Sequence, residues 1–146
     1  MRTRIAVQPG LFDLNAEIAA LADGDAGAIA SFTGHVRRDG GLASLTLEHY
    51  PGMTEAEIAR IAAEAAGRWP LTGVTVIHRI GTLAPGEAIV LVAAAAPHRA
   101  EAFAACEFLV DYLKSHAPFW KQETRGGDHS WVEARDSDTR AADRWK

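Results

Sequence analysis

The chain has 146 residues, 48% of them hydrophobic and 23% charged, proportions of a packed globular protein rather than a disordered or fibrous one. Its 15 Lys and Arg against 19 Asp and Glu leave a net charge of −4, which excludes binding of nucleic acid through overall basicity and confines any anion site to a local cluster. The single cysteine, Cys106, excludes an internal disulfide and a same-chain cysteine pair for zinc or redox chemistry.

The longest apolar stretch, residues 88–97, is too short to span a bilayer. The start, Met1-Arg2-Thr3-Arg4, lacks the sustained apolar region and small-residue cleavage site of a signal peptide. The expectation is one domain over residues 1–146, cytoplasmic, with neither membrane nor nucleic acid as partner.

In chain order, residues 5–8 read as a short strand, and Asp13 caps a helix whose Leu14, Ile18 and Leu21 recur at helical spacing. Residues 26–33 and 44–50 read as strands around a polar turn at residues 37–41, a pattern that suggests a hairpin. Thr54 and Glu57 have the spacing of a capping box before Ile58, Ile61, Ala62 and Ala65, and Trp69-Pro70 stops that helix. Val74, Val76 and His78 alternate along a strand, Pro85-Gly86 supplies a type II turn, and residues 88–95 return as its antiparallel partner.

Pro97 suits the first turn of a helix running to about Ser115, with Phe103, Cys106, Val110 and Leu113 as its buried stripe. Pro118 ends that helix. Short strands at 119–123 and 130–135 flank the turn Arg125-Gly126-Gly127-Asp128, and residues 136–145 form a polar terminal helix or tail. Helices and strands in this order, with hairpins, predict an α+β fold.

The chemistry-bearing residues are basic. His98 and Arg99 stand at a helix start, where the dipole disfavours cations unless an anion is bound there, or where both side chains simply lie in water. Lys114, beside Leu113 and four residues after Val110, borders the apolar stripe, and a lysine in a last turn also complements the dipole. Lys121 lies on an extended segment beside Trp120, suited either to proton transfer from a partly desolvated site or to guarding an edge strand. Arg37 and Arg38 follow Phe32-Thr33-Gly34-His35-Val36 in a loop and extend the positive patch.

His35, His49 and His78 lack the close-spaced partners of a metal site, so no metal is expected. Cys106, inside an apolar stripe, reads as a small hydrophobe rather than a nucleophile. On these residues alone, a phosphoester hydrolase and a noncatalytic adaptor for a carboxylate terminus remain open.

The segments Phe32-Thr33-Gly34-His35-Val36-Arg37, Leu47-Glu48-His49-Tyr50-Pro51-Gly52-Met53 and Val76-Ile77-His78-Arg79-Ile80-Gly81 follow one another along the chain. After them come Ala96-Pro97-His98-Arg99, Asp111-Tyr112-Leu113-Lys114, Ala117-Pro118-Phe119-Trp120-Lys121 and Trp131-Val132-Glu133-Ala134-Arg135. In this order they resemble the molybdopterin synthase large-subunit family, MoaE, from about Ile5 to Trp145.

The resemblance implies an α/β hammerhead fold and a sulfurtransferase of molybdenum cofactor biosynthesis. Two sulfurs would pass from the C-terminal Gly-Gly thiocarboxylate of a small ubiquitin-like carrier subunit to cyclic pyranopterin monophosphate, forming the molybdopterin dithiolene. It further implies a homodimer within a heterotetramer and no bound cofactor. Lys114 and Lys121 match catalytic lysines, while Arg37, His98 and Arg99 match substrate phosphate contacts. Arg135 is a further such contact that could act across the dimer. The loop of residues 37–43 is shorter than in some relatives, and His35 stands where a lysine can occur.

Overall fold

The computed structural model describes residues 1–132 and 136–146. The elements are β1 (Arg2–Gln8), α1 (Leu14–Leu21), β2 (Ala28–His35), β3 (Ser44–His49), α2 (Met53–Arg68) and β4 (Gly73–Arg79), then β5 (Gly81–Leu83), β6 (Ala88–Ala96), α3 (Arg99–His116), β7 (Phe119–Arg125), β8 (Asp128–Val132) and α4 (Asp136–Asp143). The expected α+β class holds.

The apolar run of β6 is covered on both faces. Val90, Val92, Ala94 and Ala96 point into the main core beneath α2 and α3, while Ala93 and Ala95 meet Leu21 of α1 on the opposite face. That is the period of two that a strand imposes on successive side chains. β6 lies inside a four-stranded sheet of order β1-β4-β6-β2, in which β1 runs parallel to β4 and the other pairs are antiparallel. Small side chains on β6 let its neighbours come close. A Cβ on Gly27, just before β2, would fall 2.1 Å from the Pro97 carbonyl oxygen just after β6.

A second sheet, of order β5-β3-β7-β8, has its own core of Val36, Leu42, Leu45, Leu47 and Leu83. The chain passes from the first sheet to the second between Arg79 and Gly81, where Gly81 adopts a φ of 93° that side-chain-bearing residues avoid. The Arg79 guanidinium, only 8% exposed, pins this corner by donating to the carbonyls of Pro9 at 3.2 Å and Ala88 at 3.0 Å.

Four local expectations change. β2 and β3 form no hairpin, because β2 pairs with β6 and β3 with β5 and β7, the loop between them crossing from one sheet to the other. Helix α2 is capped two residues earlier than Thr54, at Gly52, whose N–H donates to Glu55 Oε2 at 3.2 Å. Thr54 is instead fully buried inside the first turn. Pro97 precedes α3 rather than entering it, since the N-cap is His98. Phe103 is 66% exposed, and Phe108 takes the core position expected for it.

Phe108 is a hub: its ring meets Trp69, Tyr112 and Trp145 at centroid distances of 5.5, 4.4 and 5.6 Å. The C-terminal segment is a docked helix rather than a tail, with Ala142 buried and Trp145 Nε1 donating to Asp111 Oδ2 at 2.6 Å. Phe108→Ala should therefore destabilise the chain by about 3–5 kcal/mol, whereas Phe103→Ala should stay within about 0.5 kcal/mol of the parent. Urea unfolding of the two variants checks the contrast, and equal losses would contradict the placement of α3.

Candidate active site

Helix α3 lies on the first sheet with Ala105, Cys106, Phe108, Leu109, Tyr112 and Leu113 buried, so its last turn leaves Lys114 beside Leu113 at the rim of the core. Ala117 is extended at φ −73° and ψ 129°, as the following proline requires, and the chain re-emerges as β7. On that strand Phe119, Lys121 and Glu123 share one face, opposite His49, Leu47 and Leu45 of β3. Trp120 and Gln122 take the other face.

Between the two sheets and the end of α3 lies a cavity of about 590 Å³ lined by Lys114, Lys121 and Arg37. Its walls include Phe32, Val90, Val92, Val110 and Leu113, with His78 and Phe119 also exposed to it. The cationic groups differ in setting. Lys114 is exposed and Lys121 half-buried, while the Arg37 side chain is 74% exposed and 3.6 Å from Asp39, a pairing worth little at such exposure.

The His78 imidazole is 8% exposed, donates through Nδ1 to the Arg79 carbonyl at 2.8 Å and stacks on Phe119 with centroids 3.7 Å apart. Burial pushes its pKa down to about 4 against the hydrogen bond to Arg79, and the charges of Lys121 and Lys114 push the same way. The ring is thus uncharged at neutral pH. The lining also carries Asp39, Glu123 and Asp138, so an anion would be held by local contact with the cations rather than by the net charge of the walls.

Not all the expected residues meet here. Arg37, Lys114 and Lys121 do. His98 and Arg99 are exposed at the start of α3, and Lys114 is in its last turn; 18 residues of helix make roughly 27 Å at the α-helical rise. Arg135 lies outside the described residues. His78 and Glu123 belong to the cavity lining without having been singled out for it. The alternation Val74, Val76, His78 and the i, i+2 spacing of Lys121 and Glu123 were the signals that could have found them. Cys106 is buried, and burial raises its thiol to about 11, far from a reactive thiolate. Among the described residues no group of His, Cys, Asp or Glu is arranged to hold a metal.

A sequence model of the family described as MoaE protein matches residues 7–116. The chain belongs to the MoaE family. It is 60% identical to the molybdopterin synthase catalytic subunit of Mesorhizobium japonicum, over 97% of this chain and 92% of that one. It is 52% identical to the Escherichia coli K12 catalytic subunit over 98% of each. Among solved structures it superposes on the molybdopterin biosynthesis MoaE protein of Burkholderia ambifaria with a TM-score of 0.86 at 51% identity, covering 98% of this chain and 97% of that one.

Molybdopterin synthase of Staphylococcus aureus gives a TM-score of 0.81 at 32% identity, covering 89% of this chain and 96% of that one. The two-sheet arrangement is the hammerhead-like MoaE fold, and the activity of this MoaE-family chain is sulfur transfer to a pyranopterin as the catalytic side of molybdopterin synthase. No helix among the described residues is long and apolar enough to cross a membrane.

For a histidine whose folded pKa lies below its unfolded value, stability is complete above the unfolded pKa and is lost as pH falls towards the folded one. His78 should therefore make the chain less stable between pH 6.5 and about 4, and His78→Phe should flatten that slope in denaturant titrations. NMR of the labelled imidazole should show no titration of His78 near its ordinary value of 6.5. A midpoint there would remove the neutral wall.

Proposed function

We propose that the cavity between the sheets is where the sulfur of a carrier thiocarboxylate meets cyclic pyranopterin monophosphate, with Lys114 and Lys121 as the catalytic groups. The observation that carries this reading is the convergence of Arg37, Lys114 and Lys121 on one cavity of about 590 Å³, in a chain whose only thiol is buried and unreactive. Sulfur must then arrive from outside. A Helicobacter pylori structure described as a complex of subunits 1 and 2 of molybdopterin-converting factor shares the fold, with a TM-score of 0.76 at 19% identity. That complex of two subunits supports a small sulfur-carrier partner for this chain, and in the proposed reading the carrier is ubiquitin-like and enters the cavity by its C-terminal Gly-Gly.

In this reading Lys114 binds the thiocarboxylate and offsets charge as its sulfur attacks a side-chain carbon of the pterin. Lys121 donates a proton to the departing oxygen, and water then hydrolyses the resulting carrier–pterin thioester, leaving the sulfur on the pterin and a carboxylate on the carrier. Arg37 holds the phosphate, so that the half-sulfurated intermediate stays bound between the two transfers. His98, Arg99 and Arg135 complete the anion site.

Because α3 holds His98 and Arg99 far from Lys114 of the same chain, a second copy supplies them. The working unit is a homodimer within a heterotetramer, each chain acting as one domain in the cytoplasm. A phosphoester hydrolase has less support: Ser115, the serine of the described lining, lies 2.7 Å from His116 Nδ1 but donates its hydroxyl proton to the Asp111 carbonyl at 3.0 Å, so the imidazole is not placed to take that proton.

Lys114→Ala should remove nearly all dithiolene formation with little change in stability, since an exposed lysine contributes little to folding. Lys121→Arg should not restore what Lys121→Ala loses, because guanidinium keeps its proton near neutral pH. Near-normal turnover of Lys114→Ala, or full activity of Lys121→Arg, in an assay with thiocarboxylated carrier and cyclic pterin phosphate would refute these roles.

Sharing of sites between copies has its own test. Lys114→Ala and Arg99→Ala chains, each inactive alone, should recover activity when mixed as heterodimers, because one of the two sites then has both residues intact. No recovery in confirmed heterodimers would mean that Arg99 does not act across the dimer.

A further inference from the structure

The loop that carries Arg37 is anchored at both ends. Val36, 3% exposed, exchanges backbone hydrogen bonds with Glu87 at 2.9 Å and Gly86 at 2.7 Å. At the far end Leu42 is buried in the second core, and the Ala43 N–H donates to the Thr124 carbonyl at 2.8 Å. Between these anchors the residues Arg37, Arg38, Asp39, Gly40 and Gly41 are all exposed. Gly40 and Gly41 both sit at positive φ, 56° and 77°. Two consecutive glycines maximise the entropy lost on ordering such a loop, and the exposed Arg37–Asp39 ion pair cannot hold it.

What reaches into the middle of the loop comes from the end of β7, 86 residues away in sequence. Arg125 donates to the Asp39 carbonyl through Nε at 3.3 Å and Nη2 at 3.1 Å, while Nη1 pairs with the Glu123 carboxylate. The Leu42 N–H donates to the same Asp39 carbonyl at 3.1 Å. The guanidinium is therefore oriented on one edge by a carboxylate and closes two N–H groups on a single backbone oxygen with the other, the fork geometry that arginine provides and lysine does not. Glu123 itself lines the cavity, whereas Arg125 is not among its lining residues.

We infer that Arg125, oriented by Glu123, is a positioning residue that grips the loop through the Asp39 carbonyl and so presents Arg37 to the substrate phosphate. The grip acts before substrate arrives, lowering the ordering cost of binding without touching the reacting atoms. The inference rests on the reading of Arg37 as a phosphate contact, and its effect belongs in substrate affinity rather than in the chemical step.

The test uses the full enzyme with thiocarboxylated carrier and cyclic pterin phosphate, together with hydrogen–deuterium exchange of the chain. Arg125→Ala should speed amide exchange in residues 38–42 and raise KM for the pterin about three- to tenfold with kcat within about twofold. Arg125→Lys should behave like Arg125→Ala, since it keeps the charge beside Glu123 but loses the fork. The Arg37→Ala/Arg125→Ala double variant should be no weaker in pterin affinity than Arg37→Ala alone, because both changes act through one contact.

Unchanged exchange, unchanged KM with faster exchange, full rescue by lysine, or multiplying effects in the double variant would each overturn the inference. Arg37→Ala reports separately on the phosphate reading. If it leaves KM unchanged, that reading fails and the functional part of the inference with it, while exchange still tells whether the grip exists.

Discussion

The buried hydroxyl of Thr54 donates to the Pro118 carbonyl at 3.0 Å and accepts the Tyr50 N–H at 3.0 Å. That one side chain, fully excluded from solvent, ties the start of α2 to the joint where α3 ends and β7 begins. The joint matters because it converts helical cover of the first sheet into an inner strand of the second. Lys114 is on one side of it and Lys121 on the other, and the two reach one cavity only because the chain bends there. Proline enforces the bend by lacking an N–H and by pushing Ala117 out of helical geometry. Thr54 then fixes its position against the rest of the molecule.

Around that joint the cavity carries charges of both signs, with Asp39, Glu123 and Asp138 in the same lining as the cations. Lys114, Lys121 and Arg37 face the cavity, and the carboxylate nearest them on β7, Glu123, is engaged by Arg125. The histidine in the wall stays neutral because it is buried and because the lysines repel a further positive charge. Local contacts with Lys114, Lys121 and Arg37, rather than a net positive lining, would hold the two anions of the reaction proposed for this cavity, a thiocarboxylate and a cyclic phosphate. Long-range basicity is unnecessary, which reconciles an anion site with a chain whose net charge is −4.

A helix as long as α3 separates chemistry as well as joining it. Its middle is committed to the core through Phe108 and Leu109, so its two ends cannot approach one another. Under the proposed dimer the same rigidity becomes useful: each copy lends the start of its helix to the other's cavity, and the reach is set by a packed element rather than by a flexible loop.

Much of this was legible in the residues themselves. The apolar strand at residues 88–95, the Asp13 cap, the proline stop at Pro118 and the apolar setting of Cys106 are local consequences of a short apolar run, capping and backbone sterics, and the ordered motifs pointed to the family. The pairing of β2 with β6 rather than with β3 was not legible, because neighbouring strands separated by a polar turn satisfy hairpin rules equally well. Nor was the exchange of Phe103 for Phe108, since a stripe of helical period can be drawn through either until the sheet beneath it is placed.

Thr54 carried a capping signature yet serves as a buried tie, and Arg125 sat in an ordinary turn yet grips a loop far away in sequence. Local physics determined which segments are helix or strand and which residues could bear charge near a core. Only the tertiary structure decided which of those charges meet, because the meeting depends on hydrogen bonds and packing between residues too far apart in the chain to leave any periodic trace.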